Sequence, residues 1–263
     1  MSYEFIKVEK QDHITIITIN RPEVMNSLHP YTSIEMDKAF NDFADDPDQW
    51  IGILTGAGDK AFSAGNDLKF QAQHGGEKIR ELTQGLRGGF GGITYRFDLF
   101  KPLIAAVNGL ALGGGFECAL ACDIIIASEK ASFGLPEPTV GLMAGAGGVH
   151  RLPRAIPHYL AMSMMLTAKR IYAQEARELG LVAEIVPPDK LMEAALDWAK
   201  RIMACSPLAI RASKEATLKG LGMSLEEACK TTFPGQVTMH KSEDFIEGPK
   251  AFAEKRKPQW KGR

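Results

Sequence analysis

Long apolar runs and paired cysteines are what this sequence most clearly lacks. No stretch approaches the roughly 20 apolar residues of a membrane-spanning helix, and the opening MSYEFIKVEK carries charges where a secretory leader would need an apolar segment. A cytoplasmic location is therefore the default expectation. The cysteines show no CxxC spacing, so we expect buried, reduced thiols rather than a disulfide or a metal site. They are Cys118, Cys122, Cys205 and Cys229.

Neither sign of charge is in clear excess. The 263 residues contain 31 Lys and Arg against 32 Asp and Glu, which gives a formal charge of -1. This balance argues against broad electrostatic attraction to nucleic acid or to anionic membrane, although it allows local basic patches, and it favours a small-molecule partner. Because 45% of the residues are hydrophobic, the chain can bury a substantial core as one large domain or two small ones.

Apolar patterning predicts alternating strands and helices in the first half of the chain. Alternation of apolar and polar residues predicts a strand pair at 4–9 and 13–20, and a helix follows from about 31 to 44. Continuous apolar runs are typical of strands that are buried on both faces. The further predicted elements are strand WIGILTG, strand PLIAAVNGLAL (102–112), a short helix at 116–121 and strand DIIIAS (123–128).

Helical periodicity dominates beyond about residue 143, with few strand signals. The predicted helices span 157–167, 173–179, 189–204, 207–219 and 224–238. A strand-and-helix core thus precedes a helical portion. The segment 73–92 is Gly-rich at both ends, which suits a mobile loop beside a ligand, and a surface loop without a role is an equal alternative.

Three glycine-containing turns are candidates for ligand contact: FSAGNDLKF (62–70), NGLALGGGFE (108–117) and GAGG (145–148). The GGG run directly follows an apolar strand and precedes a helix. In that context small residues let a ligand approach the backbone, and exposed N–H groups can hold an oxyanion. A tight turn without a ligand is the alternative. A dinucleotide site is less favoured, because the run lacks the GxGxxG spacing.

Two glutamates lie close to these turns. Glu117 falls in the first turn of the helix after GGG, where the helix dipole stabilises a carboxylate whether or not it is catalytic. Glu137 lies between two prolines in an apolar neighbourhood, where burial would raise its pKa toward the range useful for proton transfer. Each could be structural when taken alone. They become informative only if they face one site together with an oxyanion-binding turn.

These segments resemble the signature of the crotonase, or enoyl-CoA hydratase/isomerase, superfamily. The resemblance is carried by AAVNGLALGGGFECALACDIIIA and FGLPEPTVGLMAGAGGVHRLPR, and the tail HKSEDFIEGPKAFAEKRKPQWKGR is most similar to carnitinyl-CoA dehydratase-like members. It implies an α/β fold of the crotonase (ClpP/crotonase-like) type. Residues 1–200 would form a spiral of repeated ββα units with the CoA and catalytic site, and 201–263 a helical C-terminal trimerisation portion.

The resemblance also implies roles for individual residues. The backbone N–H groups of Asn66 and Gly114 would form an oxyanion hole that polarises the thioester carbonyl. Glu117 would activate water, and Glu137 would deliver a proton to the α-carbon. Because isomerisation needs a proton shuttle but no activated water, two glutamates favour a hydro-lyase. We expect no metal and no separate cofactor, since coenzyme A is part of the substrate.

Further positions match CoA contacts of the family. Most of these contacts would use backbone groups around the adenine, and the tail positions would reach CoA, often across the interface of a homotrimer or homohexamer. The matching residues are Val24, Ala64, Asp67, Leu68, Lys69, Phe252 and Lys255.

Three departures from the simple short-chain hydratase pattern leave the acyl group open. Asn66, Phe116 and Ala144 stand where that pattern usually has Ala, Cys and Pro, and we expect them to border the active site and to alter the acyl pocket. An enoyl-CoA isomerase is the nearest alternative activity. Outside enzymes, the alternatives are a CoA-binding scaffold or sensor, or an acquired nucleic-acid role.

Overall fold

The structure, a computed structural model, describes residues 3–263. The chain divides into two compact units. The first contains the chain up to Arg96 together with Leu103–Leu196, and the second contains Phe97–Pro102 and Asp197–Arg263. Every strand lies in the first unit, as far as the described residues go. They are Ile6–Gln11 (β1), Ile14–Ile19 (β2), Ile51–Gly56 (β3), Ala61–Ser63 (β4), Leu103–Val107 (β5), Leu110–Leu112 (β6), Ile124–Ser128 (β7), Ser132–Gly134 (β8), Ile171–Tyr172 (β9) and Glu184–Val186 (β10).

The helices alternate with strands in the first unit and follow one another in the second. A proline at the first or second position begins several of them, which fits the fixed φ of proline and the unpaired N–H groups of a first turn. They are Pro30–Asp45 (α1), Leu68–Thr83 (α2), Gly114–Leu120 (α3), Gly148–Ala155 (α4), His158–Thr167 (α5), Ala173–Glu178 (α6), Leu191–Met203 (α7), Pro207–Gly220 (α8), Leu225–Lys230 (α9), Pro234–His240 (α10) and Glu243–Ala253 (α11).

Two sheets organise the first unit. The larger has six strands in the order β1-β2-β3-β5-β7-β10, antiparallel only between β1 and β2, and the smaller has the order β4-β6-β8-β9. The units β3–β4–α2, β5–β6–α3 and β7–β8–α4 repeat one pattern, in which the first strand joins the larger sheet and the second joins the smaller. The predicted α/β fold of repeated ββα units is thereby confirmed.

Two predicted elements are each divided in the structure. The run 102–112 forms β5 and β6, which belong to different sheets, and the chain turns between them at Asn108 and Gly109. Asn108 Nδ2 donates to the carbonyls of Gly56 (2.9 Å) and Gly58 (2.7 Å), which fixes the turn. The predicted helix 224–238 is interrupted before Pro234, because proline has no N–H to continue the hydrogen bonding.

The cysteine prediction is correct only in part. The four thiols are free, but only Cys118 is buried, while Cys122 is half-buried and Cys205 and Cys229 are exposed. Cys205 lies in the turn between α7 and α8, and Cys229 lies on α9, a short helix with no buried residue. In the described part of the chain, no helix combines the length and apolar character needed to cross a membrane.

Candidate active site

A cavity of about 460 Å³ lies within the first unit. Its lining includes Asn66, Gly114, Glu117 and Glu137, the four residues for which the sequence predicted an oxyanion hole and a pair of acid–base groups. They come from the turn between β4 and α2, the start of α3, and the segment after β8. Residues far apart in sequence therefore meet because successive ββα repeats end at the same place.

The two glycine turns of the site are in direct contact. Gly65 has φ +87°, and a Cβ built there would lie 2.6 Å from the Leu112 carbonyl oxygen and 2.7 Å from the Gly114 nitrogen. No side chain can occupy that space, and an L-residue would also be strained at this φ. Glycine at position 65 therefore lets the backbone of Asn66 approach the backbone of Gly114.

The backbone N–H groups of Asn66 and Gly114 are left available by the local hydrogen bonding. The Leu28 N–H donates to the Gly65 carbonyl (2.7 Å), and the Asp67 N–H donates to the Leu28 carbonyl (3.1 Å). These two hydrogen bonds pair the residues on either side of Asn66 and leave the Asn66 N–H unused. Gly114 is the first residue of α3, where an N–H has no partner within the helix. Within residues 3–263 neither N–H donates a hydrogen bond, as an anion-binding pair of donors requires.

Glu117 is held in the buried first turn of α3. Its side chain Oε1 accepts a hydrogen bond from the Gly148 N–H (2.8 Å), and the residue is only 3% exposed. Burial raises the pKa of the Glu117 carboxyl to about 7, and the neighbouring Glu137 carboxylate adds to the rise, while the Gly148 and Ala146 N–H groups and the Arg151 guanidinium oppose it. Near neutral pH this carboxyl can therefore both accept and release a proton.

Glu137 begins the 3-10 turn Glu137–Val140, which follows β8. Its Oε2 is buried and has no hydrogen-bond partner among the described residues, and a Cβ built on Gly113 would lie 3.1 Å from its Oε1. The carboxyl group therefore faces the turn that carries Gly114. Burial also raises the pKa of Glu137 above its ordinary value, which favours a protonated carboxyl that can donate to a ligand.

Arg151 influences Glu117 electrostatically, and no signal in the sequence pointed to this role. It lies on α4 one turn after Gly148, and its Nη2 donates to the Thr94 carbonyl oxygen (2.6 Å). The same guanidinium opposes the rise in the pKa of Glu117. The GAGG turn, one of the three glycine-containing turns that the sequence offered for ligand contact, contributes the Gly148 N–H.

The remaining wall of the cavity is mostly apolar and was likewise not predicted residue by residue. A Cβ built on Gly114 would lie 2.4 Å from the ring of Phe90, so this ring packs directly on the start of α3. The Tyr95 hydroxyl donates to the Gly145 carbonyl oxygen (3.3 Å) and so connects two loops at the cavity. The Gly-rich character of 73–92 was the available signal, since this segment contributes Ile79, Thr83, Leu86, Gly89 and Phe90.

The residues predicted to contact CoA through the N-terminal turns do not line this cavity. Val24 and Ala64 lie on adjoining turns, because the Ala64 N–H donates to the Met25 carbonyl (2.9 Å). The carboxylate of Asp67 pairs with Arg21 (3.0 Å) and caps α2 through the Phe70 N–H (3.1 Å).

The other predicted contacts are exposed. Leu68 and Lys69 lie on the exposed first turn of α2. Phe252 and Lys255 belong to the second unit, at the end of α11 and just after it, and Phe252 is 87% exposed.

Only one of the three departures reaches the cavity. Asn66 lines it, and the Asn66 side-chain amide donates to Gln71 Oε1. Phe116 is fully buried and packs on Phe133, with ring centroids 5.4 Å apart, and Ala144 is buried as well, so neither lines the acyl space. Ala144 lies beside Gly148, which contacts Glu117, so the expectation that Phe116 and Ala144 alter the acyl pocket stays a prediction.

Comparison with known proteins gives one consistent family. A family model described as enoyl-CoA hydratase/isomerase matches residues 9–263. Proteins named carnitinyl-CoA dehydratase are 44% identical to this chain, with 98% of this chain and 99% of the relative covered in Salmonella arizonae, and 99% of both in Salmonella typhi. An enoyl-CoA hydratase from Bacillus anthracis has a TM-score of 0.92 at 39% identity and covers 99% of this chain and 100% of its own. An enoyl-CoA hydratase from Mycobacterium tuberculosis H37Rv has a TM-score of 0.91 at 39% identity and covers 98% of this chain and 99% of its own.

Proposed function

The chain belongs to the enoyl-CoA hydratase/isomerase family, and we propose that the cavity hydrates an enoyl-CoA thioester by means of Glu117 and Glu137. It is an enzyme of the hydro-lyase class that acts on acyl-CoA thioesters. One observation carries the assignment of the residues: the buried carboxyl of Glu117 and the half-buried carboxyl of Glu137, both with raised pKa values, share one cavity with two available backbone N–H groups.

The proposed reaction is a reversible syn addition of water to the α,β double bond. Glu117, ionised, takes one proton from water as the water oxygen bonds to the β-carbon. The π electrons move onto the thioester as an enolate, which the N–H groups of Asn66 and Gly114 stabilise. Glu137, protonated, then gives its proton to the α-carbon, and transfer of one proton from Glu117 to Glu137 restores the starting state.

Geometry supports this division of labour. Glu137 faces the oxyanion turn through Gly113, which suits proton delivery to the carbon next to the thioester carbonyl. The pKa of about 7 lets Glu117 act as a base at neutral pH. An isomerase, the nearest alternative, needs only one such group to move a proton between carbons, so the second raised pKa favours the hydratase.

Two substrates of equal length separate hydration from isomerisation. With trans-2-hexenoyl-CoA we expect rapid loss of the ultraviolet absorbance of the conjugated thioester, and with 3-hexenoyl-CoA only slow appearance of that absorbance. Faster conversion of 3-hexenoyl-CoA would make the chain an isomerase. Calorimetric binding of both esters without turnover of either would favour the scaffold or sensor.

Coenzyme A binding at the predicted positions is part of this proposal. Val24 and Ala64 lie on adjoining turns, and the following exposed residues Leu68 and Lys69 extend that surface, which supports a nucleotide contact made mostly by backbone groups. Phe252 and Lys255 remain proposed contacts for the tail. Because its carboxylate is occupied by Arg21, Asp67 would contribute backbone groups only.

We also propose a homotrimer or a homohexamer, and the cytoplasm stays the predicted location. Largely exposed leucine and isoleucine side chains on the second unit support assembly, because their burial against a second copy of the chain would stabilise an oligomer. Leu221, Leu225 and Ile246 are 74%, 81% and 70% exposed. Sedimentation velocity should give three or six times the chain mass of 28.7 kDa, and a monomer would contradict the proposal.

A further inference from the structure

Among the described residues, the lining of the cavity contains no charged side chain apart from the two reacting glutamates. Its apolar side chains include Phe90, whose ring packs on the oxyanion turn, and also Ile79, Leu86, Leu142 and Met143. Lysine, arginine and aspartate are absent from the lining, as far as residues 3–263 show. The lining histidine, His29, has a pKa lowered mainly by burial, so it is neutral near pH 7. An acyl chain that extends past the β-carbon therefore meets an uncharged surface.

The reacting carboxyl groups are poorly suited to a second role as counter-ions. Burial raises the pKa of Glu117 to about 7, so this carboxyl is only partly ionised at neutral pH, and burial also raises the pKa of Glu137. Arg151 already faces Glu117 with a positive charge. A fixed cation beside Glu117 would also lower the basicity that the proposed water activation requires.

An aromatic cage is the other means by which proteins hold quaternary ammonium groups. Phe90 and Tyr95 are the phenylalanine and tyrosine of the described lining, and backbone already packs on both rings. A Cβ on Gly114 would lie 2.4 Å from the Phe90 ring, and a Cβ on Gly89 would lie 2.6 Å from the Tyr95 ring. These contacts occupy part of the ring surface that a cation would need.

We propose that this wall selects an uncharged acyl chain and discriminates against an acyl chain that carries a trimethylammonium group. The inference rests on the proposed hydratase activity and names the substrate class of the same cavity. The relatives named carnitinyl-CoA dehydratase have in their name a substrate with a charged acyl group. For this chain we infer a different, uncharged acyl group. The physical reason is the cost of stripping water from a cation that gains neither a dedicated carboxylate nor a complete ring cage.

A pair of isosteric substrates tests this directly. In 5,5-dimethylhex-2-enoyl-CoA a quaternary carbon replaces the nitrogen of 4-(trimethylammonio)but-2-enoyl-CoA, so the two differ in charge and hardly in shape. We expect kcat/KM for hydration to be about 10- to 100-fold higher for the uncharged ester, the range that a desolvated, unpaired group typically produces. Equal values, or a higher value for the cation, would overturn the proposal.

Met143 offers a matched pair of variants, because its side chain lines the cavity and is 68% exposed, so substitution there does not threaten folding. Met143→Glu adds a carboxylate, and Met143→Gln adds a polar group of the same size without charge. We expect the Glu variant to shift selectivity toward the cation by about three- to tenfold relative to the Gln variant, as a single partly exposed charge pair allows. Identical selectivity in the two variants would show that acyl chains do not contact this wall, and it would contradict the proposal.

Failure of the hydratase assignment can be told apart from failure of this inference. If neither trans-2-hexenoyl-CoA nor either of the isosteric enoyl-CoA esters is hydrated, the proposed function is wrong, and selectivity is then read from binding alone. Isothermal calorimetry with the saturated esters 5,5-dimethylhexanoyl-CoA and 4-(trimethylammonio)butanoyl-CoA should show tighter binding of the uncharged ester. Equal or tighter binding of the cation would contradict the inference whether or not the protein turns over an enoyl-CoA.

Discussion

Glu117 combines catalytic usefulness with a cost in stability. A carboxyl group that is 3% exposed loses most of its hydration, and one Gly148 N–H bond compensates for only part of that loss. Its pKa rises from 4.5 to about 7, so the folded state holds this proton more tightly than the unfolded state does. The contribution of Glu117 to stability must therefore fall as the pH rises through this window.

Replacing Glu117 by Gln should stabilise the protein at pH 8 while it removes the proposed base. The uncharged amide keeps an oxygen for the Gly148 N–H but avoids the buried charge, so we expect a gain on the order of 2–3 kcal/mol in the free energy of unfolding. At pH 5, where the folded wild type is protonated, the difference should largely vanish. Urea denaturation of both proteins at the two pH values measures it, and a difference independent of pH would contradict the assigned pKa.

Local signals (glycine turns, a helix start and a turn between prolines) marked the segments that carry the four central residues, but the roles came from the family resemblance, because each signal taken alone had a structural alternative. Local sequence patterns did not predict the residues that contact these four or shift their pKa values. Arg151 meets Thr94 from 57 positions away, and the Phe90 ring reaches Gly114 only once the repeats are stacked. Contacts of this kind depend on the tertiary arrangement, which local spacing does not encode.

At the scale of elements, the turn between β4 and α2 bears directly on the oxyanion donors. Gly65→Ala would force a side chain into the space occupied by Leu112 and Gly114 at a φ of +87°. We expect a loss of about 1–3 kcal/mol in stability and a fall of about 100-fold in hydration rate as the Gly114 N–H is displaced.

Gly76→Ala is the matched control, since a Cβ at Gly76 meets nothing within 4 Å and lies on α2 without a positive φ. Thermal unfolding and the hydration rate of both variants provide the comparison. The control should keep wild-type activity and a stability within about 0.5 kcal/mol of wild type, since Gly76 is at the start of the second part of α2, just after the non-helical Gly75. Equal activity in the two variants would show that contact between the glycine turns is not needed.

Sequence patterning predicted α1 and the first strand pair well, but it did not predict α2 (Leu68–Thr83) as one helix, because that stretch was expected to be a glycine turn and a Gly-rich loop, and it predicted the shortest strands poorly. The helix expected over 31–44 is α1 (Pro30–Asp45), and the strand pair is β1 and β2. The strands β8, β9 and β10 have two or three residues each, too few for a periodic signal, and they were missed. The division of 102–112 between two sheets was signalled only by the dipeptide Asn108-Gly109.

At the scale of the whole molecule, the first unit is a series of ββα repeats whose successive turns meet at one cavity. This repetition explains why the glycine turn of one ββα repeat lies against the start of the helix of the next repeat. It also explains why two carboxyl groups 20 positions apart share an environment. Family membership follows from the comparisons, whereas the roles of Glu117 and Glu137 rest on the geometry of this cavity.

The central claim is that both glutamates carry the hydration, and their two Gln variants test it most directly. The loss of conjugated thioester absorbance from crotonyl-CoA should slow by about 100- to 10,000-fold in Glu117→Gln and in Glu137→Gln, as expected for removal of a general acid or base. Affinity for saturated butyryl-CoA, measured by calorimetry, should stay within a few-fold of wild type. Unchanged turnover in either variant would contradict the account.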